Sequence, residues 1–252
     1  MSDIYKNPKY YDIAFSWRDI PLETDVFEES MRRYSRIPVR HVFEPACGNS
    51  PHMGEFIKRG YKYTGIDKSR AMLDYARKKT GPGFCAELIC ADISGFAIKN
   101  KADFAYIMLG SLYIKSEEEL VSHFDSVSGA LKKGGLYFLD WCVQFDCPDG
   151  KIQSWKKRSG NCRVKATYSC EIINKISQTI GETLRLDVTE GVKQKTFVNH
   201  SVKKAIYPQE FLNFMAGRRD FEFIGWWNNW NLEEPLTGSE KIVRPIIIIR
   251  KI

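Results

Sequence analysis

The sequence predicts an α/β fold: a parallel sheet layered with helices, carrying an antiparallel sheet inserted late in the chain. Two observations predict it. In the first part, short apolar runs alternate with helical stretches, as in Val42-Phe43-Glu44-Pro45-Ala46-Cys47-Gly48-Asn49-Ser50-Pro51 followed by Tyr63-Thr64-Gly65-Ile66-Asp67, the pattern of strand–helix–strand units. Between residues 152 and 204 the apolar period becomes two, clearest in Thr183-Leu184-Arg185-Leu186-Asp187-Val188, as expected of strands with one buried face. At 252 residues the chain can form one large domain with an inserted lid, burying about 70–75% of its unfolded surface.

Residues 1–38 carry Tyr5, Tyr10, Tyr11, Phe15 and Trp17, then the helical spacing Val26, Phe27, Met31, Tyr34. An amphipathic helix packed on the sheet accounts for Trp17 and Phe27. A first strand is expected over about 40–46. A helix over 51–59 follows, with Ser50 as N-cap, Pro51 in its first turn and Gly60 after its basic end. The second strand ends at Asp67. Ser69 caps a helix with an apolar stripe of Met72, Leu73 and Ala76, stopped by Thr80-Gly81-Pro82-Gly83.

The third strand, Phe84 to Cys90, ends at Ala91-Asp92, and the fourth runs from Ala102 to Leu109. Helix 116–131 has Glu117 to Glu119 in its first turn and Lys132-Lys133-Gly134-Gly135 at its end, charges that suit the helix dipole. A fifth strand, Leu136 to Cys142, leads past Asp140 and Trp141 to the inserted sheet, with turns at Gly160-Asn161, Ile180-Gly181-Glu182 and Glu190-Gly191. The core resumes with a helix from Pro208 to Ala216, a strand around Phe221 to Trp227 and a last strand from Ile242 to Arg250.

The first turn reads as a nucleoside site. Ala46 and Gly48 admit a ligand close to the backbone, the following helix aims N–H groups at it, and Asp67 at the next strand end suits the two hydroxyls of a ribose. A dinucleotide pyrophosphate needs three glycines, but Ala46, Gly48 and Pro51 stand there. Glu44 repels phosphates, whereas it can accept a hydrogen bond from the ammonium group of S-adenosylmethionine. A nicotinamide-linked oxidoreductase is thus the lesser alternative.

Glu44-Pro45-Ala46-Cys47-Gly48, with Gly65-Ile66-Asp67-Lys68-Ser69, Ala71-Met72-Leu73, Ala91-Asp92-Ile93 and the run Lys132 to Asp140, resembles the class I S-adenosylmethionine-dependent methyltransferases over roughly residues 38 to 145. Within them it is similar to a small-molecule subgroup with an E-P-A-C-G start, from which Ser50 and Pro51 depart. The resemblance implies a Rossmann-like sheet of seven strands, the seventh antiparallel. It implies cofactor contacts at Tyr11, Glu44, Ala46, Cys47, Gly48, Asp67, Lys68, Met72, Asp92, Ile93 and Leu109. Tyr10, Ser111, Tyr113 and Trp141 are expected at the acceptor. Met72 reads equally as core, and Asp92 as the cap of a following turn. Leu109-Gly110-Ser111-Leu112 replaces the N-P-P-Y-like tetrad of enzymes that methylate base amines, which favours a small-molecule acceptor.

The expected organisation is a helical lid over 1–38, a cofactor-binding core over 39–150 and 205–252, and an inserted antiparallel β subdomain over 151–204. Residues 1–150 hold 20 Lys and Arg against 21 Asp and Glu, and 151–252 hold 18 against 10. The basic excess reads as a solvated strand face or as a docking surface for an acidic substrate, including nucleic acid. Seven cysteines without C-x-x-C and without clustered histidines suggest reduced thiols and no metal site. The longest apolar run, Ile246 to Ile249, is too short for a membrane span, and Met1-Ser2-Asp3-Ile4-Tyr5-Lys6 has no signal core. A soluble, cytoplasmic monomer or homodimer is expected.

Methyl transfer to nitrogen or oxygen of a small-molecule acceptor is the function these features support. A sulfonium donor is already activated, so alignment and exclusion of water are the main demands. A hydroxyl acceptor adds a need for a base, for which Tyr113, Asp140 and His200 are the weak candidates; each reads equally as structural. Trp226, Trp227 and Trp230 read as an aromatic pocket for a cationic amine or as core, with core preferred for Trp226. A protein or nucleic-acid methyltransferase docking through the basic insert, and a non-catalytic S-adenosylmethionine-binding module, are the alternatives.

Overall fold

The computed structural model describes residues 4–79, 86–238 and 241–252. In chain order the elements begin with α1 (Pro8–Ala14), α2 (Ile20–Tyr34), β1 (His41–Pro45), α3 (Met53–Lys58), β2 (Lys62–Asp67), α4 (Arg70–Lys79) and β3 (Ala86–Cys90). Next come β4 (Ala102–Ile107), α5 (Glu117–Ala130) and β5 (Leu131–Asp140), then β6 (Lys151–Ser159), β7 (Cys162–Asn174), β8 (Thr179–Glu190) and β9 (Lys193–Lys204). The chain closes with α6 (Pro208–Gly217), β10 (Phe221–Asn228), β11 (Asn231–Pro235) and β12 (Pro245–Lys251).

The main sheet has the order β11-β10-β12-β5-β4-β1-β2-β3. Strands β1 to β5 pair in parallel, and β12 is antiparallel to both β5 and β10. Strand order reverses between β1 and β4, where open α/β sheets place their ligands at the carboxyl ends. The sheet has eight strands where seven were expected. The extra one, β11, forms because residues 229–230, both at positive φ, turn the chain back against β10 after Asn228.

α2 follows from its sequence. Asp19 caps it by accepting from Leu22 N at 3.1 Å, and Arg32 and Arg33 end it. Its inward Phe27 meets the rings of Phe56, Phe104, Tyr106, Phe138 and Trp230. Trp226 and Trp227 pack against Phe211 and Tyr34 respectively. All three tryptophans belong to core clusters, so the aromatic-pocket reading does not hold for them. Burial of so many rings is the main driving force for closing the core.

The helix expected from Ser50 begins at Met53. Ser50 sits at φ 47 and does not cap the helix, and His52 occupies the cap position without a side-chain bond to the helix backbone. Lys132 and Lys133 do not end α5. They open β5, which Gly134 (φ 85) and Gly135 bend past β4; a Cβ at Gly135 would lie 2.5 Å from the Asp103 carbonyl oxygen. The predicted stop Thr80 to Gly83 and the start of strand three at Phe84 lie outside the described residues.

The second sheet has the order β6-β7-β8-β9, antiparallel throughout. Its predicted turn at Ile180-Gly181-Glu182 is instead part of β8. The chain reverses earlier, at Gln178 (φ 53), and Gly181 leaves room for Ile173, whose Cδ1 would lie 3.0 Å from an added Cβ. On the inner face, Cys162, Val164, Ala166, Leu186 and Val188 pack with Ile4, Tyr10, Ile13 and Ala14, which fastens α1 to this sheet. No helix among the described residues is long and apolar enough to cross a membrane.

Where β5 ends, Asp140, at 0% exposure, takes two bonds from Arg244, Nε to Oδ1 and Nη2 to Oδ2, each 2.7 Å, and one from Leu109 N at 2.8 Å. Removing one member of such a pair strands a buried charge. Arg244→Met is therefore expected to lower the free energy of unfolding by about 3–5 kcal/mol, as measured by urea denaturation. A loss below about 1 kcal/mol would show that the pair contributes no more than a surface bridge.

Candidate functional site

The turn after β1 is bent by left-handed residues, Ala46 at φ 55 and Gly48 at φ 52. Gly48 N donates to Asp67 Oδ2 at 2.9 Å, and Asp67 Oδ1 accepts from Ser69 N at 2.7 Å, so Asp67 joins the turn to the start of α4. A Cβ at Gly48 would sit 3.3 Å from Met72 Cε, and one at Gly65 would sit 2.8 Å from Cys47 Sγ. Bare backbone at Gly65 leaves room for Cys47, and at Gly48 it lets the turn close over Met72.

Glu44, 2% exposed, accepts from the hydroxyls of Tyr63 and Tyr106 on the same oxygen, Oε2, the latter at 2.8 Å. Burial raises its carboxyl to about 7, outweighing both tyrosine bonds and the nearby Arg18. Arg18 is paired with Glu23, and His52 Nε2 lies 2.9 Å from Glu23 Oε2 and 3.2 Å from Arg18 Nη2. Burial drives His52 down to about 4. Burial also opposes ionisation of Glu23, but the bonds from His52 and Arg18 prevail and hold it at about 2. Arg244 Nη1 reaches Glu23 at 3.4 Å, so alternating charges run from Asp140 through Arg244 and Glu23 to Arg18.

Two cavities meet at this place. The smaller, about 150 Å³, lies between the segment after α1 and the β1 turn, with Arg18, Glu44, Gly48 and Asn49 in its wall. The larger, about 850 Å³, opens between the N-terminal segment, the ends of β4 and β5, and the inner face of the second sheet. Tyr11, Phe15, Leu109 and Ser111 line both. Leu109 (φ 54) and Trp141 (φ 61) are non-glycine residues in the left-handed region, a conformation that costs energy and is held here by surrounding contacts.

Of the residues expected at a cofactor, Tyr11, Glu44, Ala46, Cys47, Gly48 and Leu109 line the smaller cavity. Asp67 and Met72 support its turn. Lys68 is exposed at the end of β2. Asp92 is exposed and accepts Ser94 N and Oγ, both at 2.9 Å, which is the turn-capping arrangement. Ile93 is buried, its carbonyl oxygen bonded to His123 Nδ1 at 2.8 Å. Of the acceptor residues, Ser111, Tyr113 and Trp141 line the larger cavity.

Three expected residues face elsewhere. Tyr10 stacks on Phe197 and donates to Glu190 Oε2 at 3.1 Å, because α1 turns it toward the second sheet. His200 is exposed and bonded to Thr183 at 2.8 Å; strand alternation points it outward, since Asn199, Ser201 and Lys203 take the cavity face. Asp140 has both oxygens bound by Arg244, which leaves it a structural anchor and not a base.

Sequence reasoning missed Arg18, Trp17, Trp155, Tyr168, Glu182, Asn199 and Lys203, all on cavity walls. The period of two in β9 held the signal for Asn199 and Lys203, had one face been known to be inward. Glu182 was hidden by its assignment to a turn. Among the described residues no cluster of three or more His, Cys, Asp or Glu is placed to hold a metal ion.

Residues 42–135 match the family described as a methyltransferase domain. A putative methyltransferase of Bacillus subtilis, YqeM, is 29% identical over 39% of this chain and 41% of its own length. The N,N-dimethyltransferase of Streptomyces venezuelae named for dTDP-3-amino-3,4,6-trideoxy-alpha-D-glucopyranose is 27% identical over 63% of this chain and 68% of its own. The chain thus spans under half of the first relative and about two thirds of the second. The crystal structure of an S-adenosylmethionine-dependent methyltransferase from Clostridium acetobutylicum superposes with a TM-score of 0.76, covering 96% of both chains at 17% identity, a likeness of fold. Residues 42–135 are thus similar to a methyltransferase domain, and the fold as a whole is like that of the Clostridium acetobutylicum enzyme.

The raised carboxyl of Glu44 has a consequence for stability. A group more readily protonated when folded than when unfolded stabilises the fold fully below its unfolded value, near 4.5, and this contribution is lost as pH rises through about 7. The ligand-free protein is expected to lose stability between those values through this group, and Glu44→Gln to flatten the decline. Urea midpoints across that range in both proteins check it; parallel curves would refute it.

Proposed function

We propose that the chain transfers a methyl group from S-adenosylmethionine to a nitrogen or oxygen atom of a small-molecule acceptor held in the larger cavity. The observation that carries this reading is the shared wall of Tyr11, Phe15, Leu109 and Ser111, across which a donor in one cavity and an acceptor in the other would meet. Bound there, S-adenosylmethionine supplies an already activated methyl group.

The residues present fit that donor. Glu44 offers a carboxylate to its ammonium, and Arg18, side chain 6% exposed, offers a guanidinium to its carboxylate. Asp67 stands at the strand end suited to a ribose, and Gly48 presents its backbone on the wall of the smaller cavity. The E-P-A-C-G start supports a likeness to the small-molecule subgroup. Residues 1–38 act as the lid, 39–150 and 205–252 as the donor-binding core, and 151–204 as the acceptor subdomain. Alignment and exclusion of water by Tyr11, Phe15 and Trp17 then do most of the catalytic work. The relative named as an amino-sugar N,N-dimethyltransferase favours nitrogen as the receiving atom.

Docking of a macromolecule on the basic insert is less well supported. In the sheet register Lys156 faces Lys165 and Arg158 faces Arg163. These exposed positions alternate with Lys157 and Trp155 of the cavity wall and so lie on the opposite face. A polymer bound there would not reach the shared wall.

Calorimetric titration of S-adenosylmethionine, S-adenosylhomocysteine and NADH tests the reading. The first two are expected to bind and NADH not. Asp67→Ala and Arg18→Met should each weaken binding by about 10–100-fold, the loss of a hydrogen bond to a charged group. Absence of binding, or binding indifferent to both substitutions, would overturn it.

A further inference from the structure

Four polar side chains converge at one place in the larger cavity: Tyr113, Tyr168, Glu182 and Lys203. Glu182 and Lys203 are each 6% exposed. Glu182 Oε2 accepts from the Tyr113 hydroxyl at 2.8 Å, while Oε1 accepts from the Tyr168 hydroxyl at 2.7 Å and from Lys203 Nζ at 2.9 Å. Lys203 Nζ also donates to the Gly110 carbonyl oxygen at 3.1 Å and lies 5.0 Å from the Tyr113 ring centroid. Beside Tyr113, the buried Ser201 hydroxyl lines the same cavity.

The polarity of these bonds has a direct consequence. A phenol has one proton to donate, and both tyrosines direct theirs to Glu182. Toward the cavity each therefore presents lone pairs. A hydroxyl already donating to a carboxylate is also the stronger acceptor, because successive hydrogen bonds polarise one another. Burial keeps both phenols protonated, and the ammonium of Lys203 keeps Glu182 ionised in spite of burial. The cluster is thus a neutral floor that accepts hydrogen bonds, next to Gly110 and Ser111 at the shared wall.

The geometry points to Tyr113 and Tyr168 as specificity-determining residues that hold a primary or secondary amine by accepting its N–H bonds, with Glu182 and Lys203 as positioning residues that fix the direction of both hydroxyls. The assignment rests on the proposed methyl transfer and narrows its acceptor. A neutral amine held by its N–H groups keeps its lone pair free to face the shared wall. A tertiary amine has no N–H to offer, so a fully methylated product loses its hold on the floor. A buried acceptor left unpaired is costly, which is how such a site discriminates between ligands differing only in a donor group.

The test is calorimetric titration of glucosamine and N,N-dimethylglucosamine into the protein saturated with S-adenosylhomocysteine, at a pH where both amines are neutral. Wild type is expected to bind glucosamine at least about tenfold more tightly than the dimethylated sugar. Tyr168→Phe and Tyr113→Phe, which keep the rings and the fold, should each erase most of that preference while leaving S-adenosylhomocysteine affinity unchanged. Equal affinity for the two sugars, a preference unaltered in both variants, or binding of neither sugar to a protein that does bind S-adenosylhomocysteine would overturn the assignment. Failure to bind S-adenosylhomocysteine would instead overturn the proposed methyl transfer itself.

Discussion

The fold depends on a buried ion pair. Asp140 and Arg244 face each other at the carboxyl end of the main sheet, and neither is stable there alone. Asp140 closes β5 and holds the backbone of Leu109 at the end of β4, while Arg244 precedes β12 and reaches Glu23 on α2. Three parts of the chain far apart in sequence are thereby locked at the point where the ligand cavities form. Through Glu23 the pair is joined to Arg18, which lines the smaller cavity.

From that anchor the two cavities acquire different characters. The smaller one is bounded by a bent backbone turn and by charges of both signs, Glu44 and Arg18, which suits a zwitterionic ligand. The larger one borrows its far wall from the second sheet, whose inner face divides along its length. At one end Val164, Leu186 and Val188 pack under α1. At the other Tyr168, Glu182, Asn199 and Lys203 face open space. One alternating pattern thus serves both to fasten the N-terminal helix and to line a site.

Several positive φ angles fall at the strand ends beside those cavities: Ala46, Gly48 and Ser50 after β1, Leu109 and Gly110 after β4, and Trp141 after β5. A sharp turn at each strand end lifts side chains out of the sheet and toward the ligand space. Gly110 shows the tightness of this packing, since an added Cβ would lie 2.8 Å from the Trp141 carbonyl oxygen.

Much of the parallel core was legible in the sequence because its signals are local. Apolar strand runs, the Ser69 cap of α4 and the small residues around Glu44 each act over a few positions, and the strand-end acids follow from topology once the strands are known. Elements whose limits depend on distant contacts were misplaced. The register of β8 follows from Ile173 packing over Gly181, and β11 exists only because it can pair with β10. By itself the sequence determined the class of fold, the turn from Glu44 to Gly48 and the place of Asp67 at the next strand end, because backbone sterics and apolar patterning depend on neighbours. Only the tertiary structure decided that Asp140 is an anchor, that Tyr10 and His200 face away, and that Arg18, Glu182 and Lys203 reach the cavities. Those outcomes are set by which face of a strand is buried and by charges brought together from opposite ends of the chain.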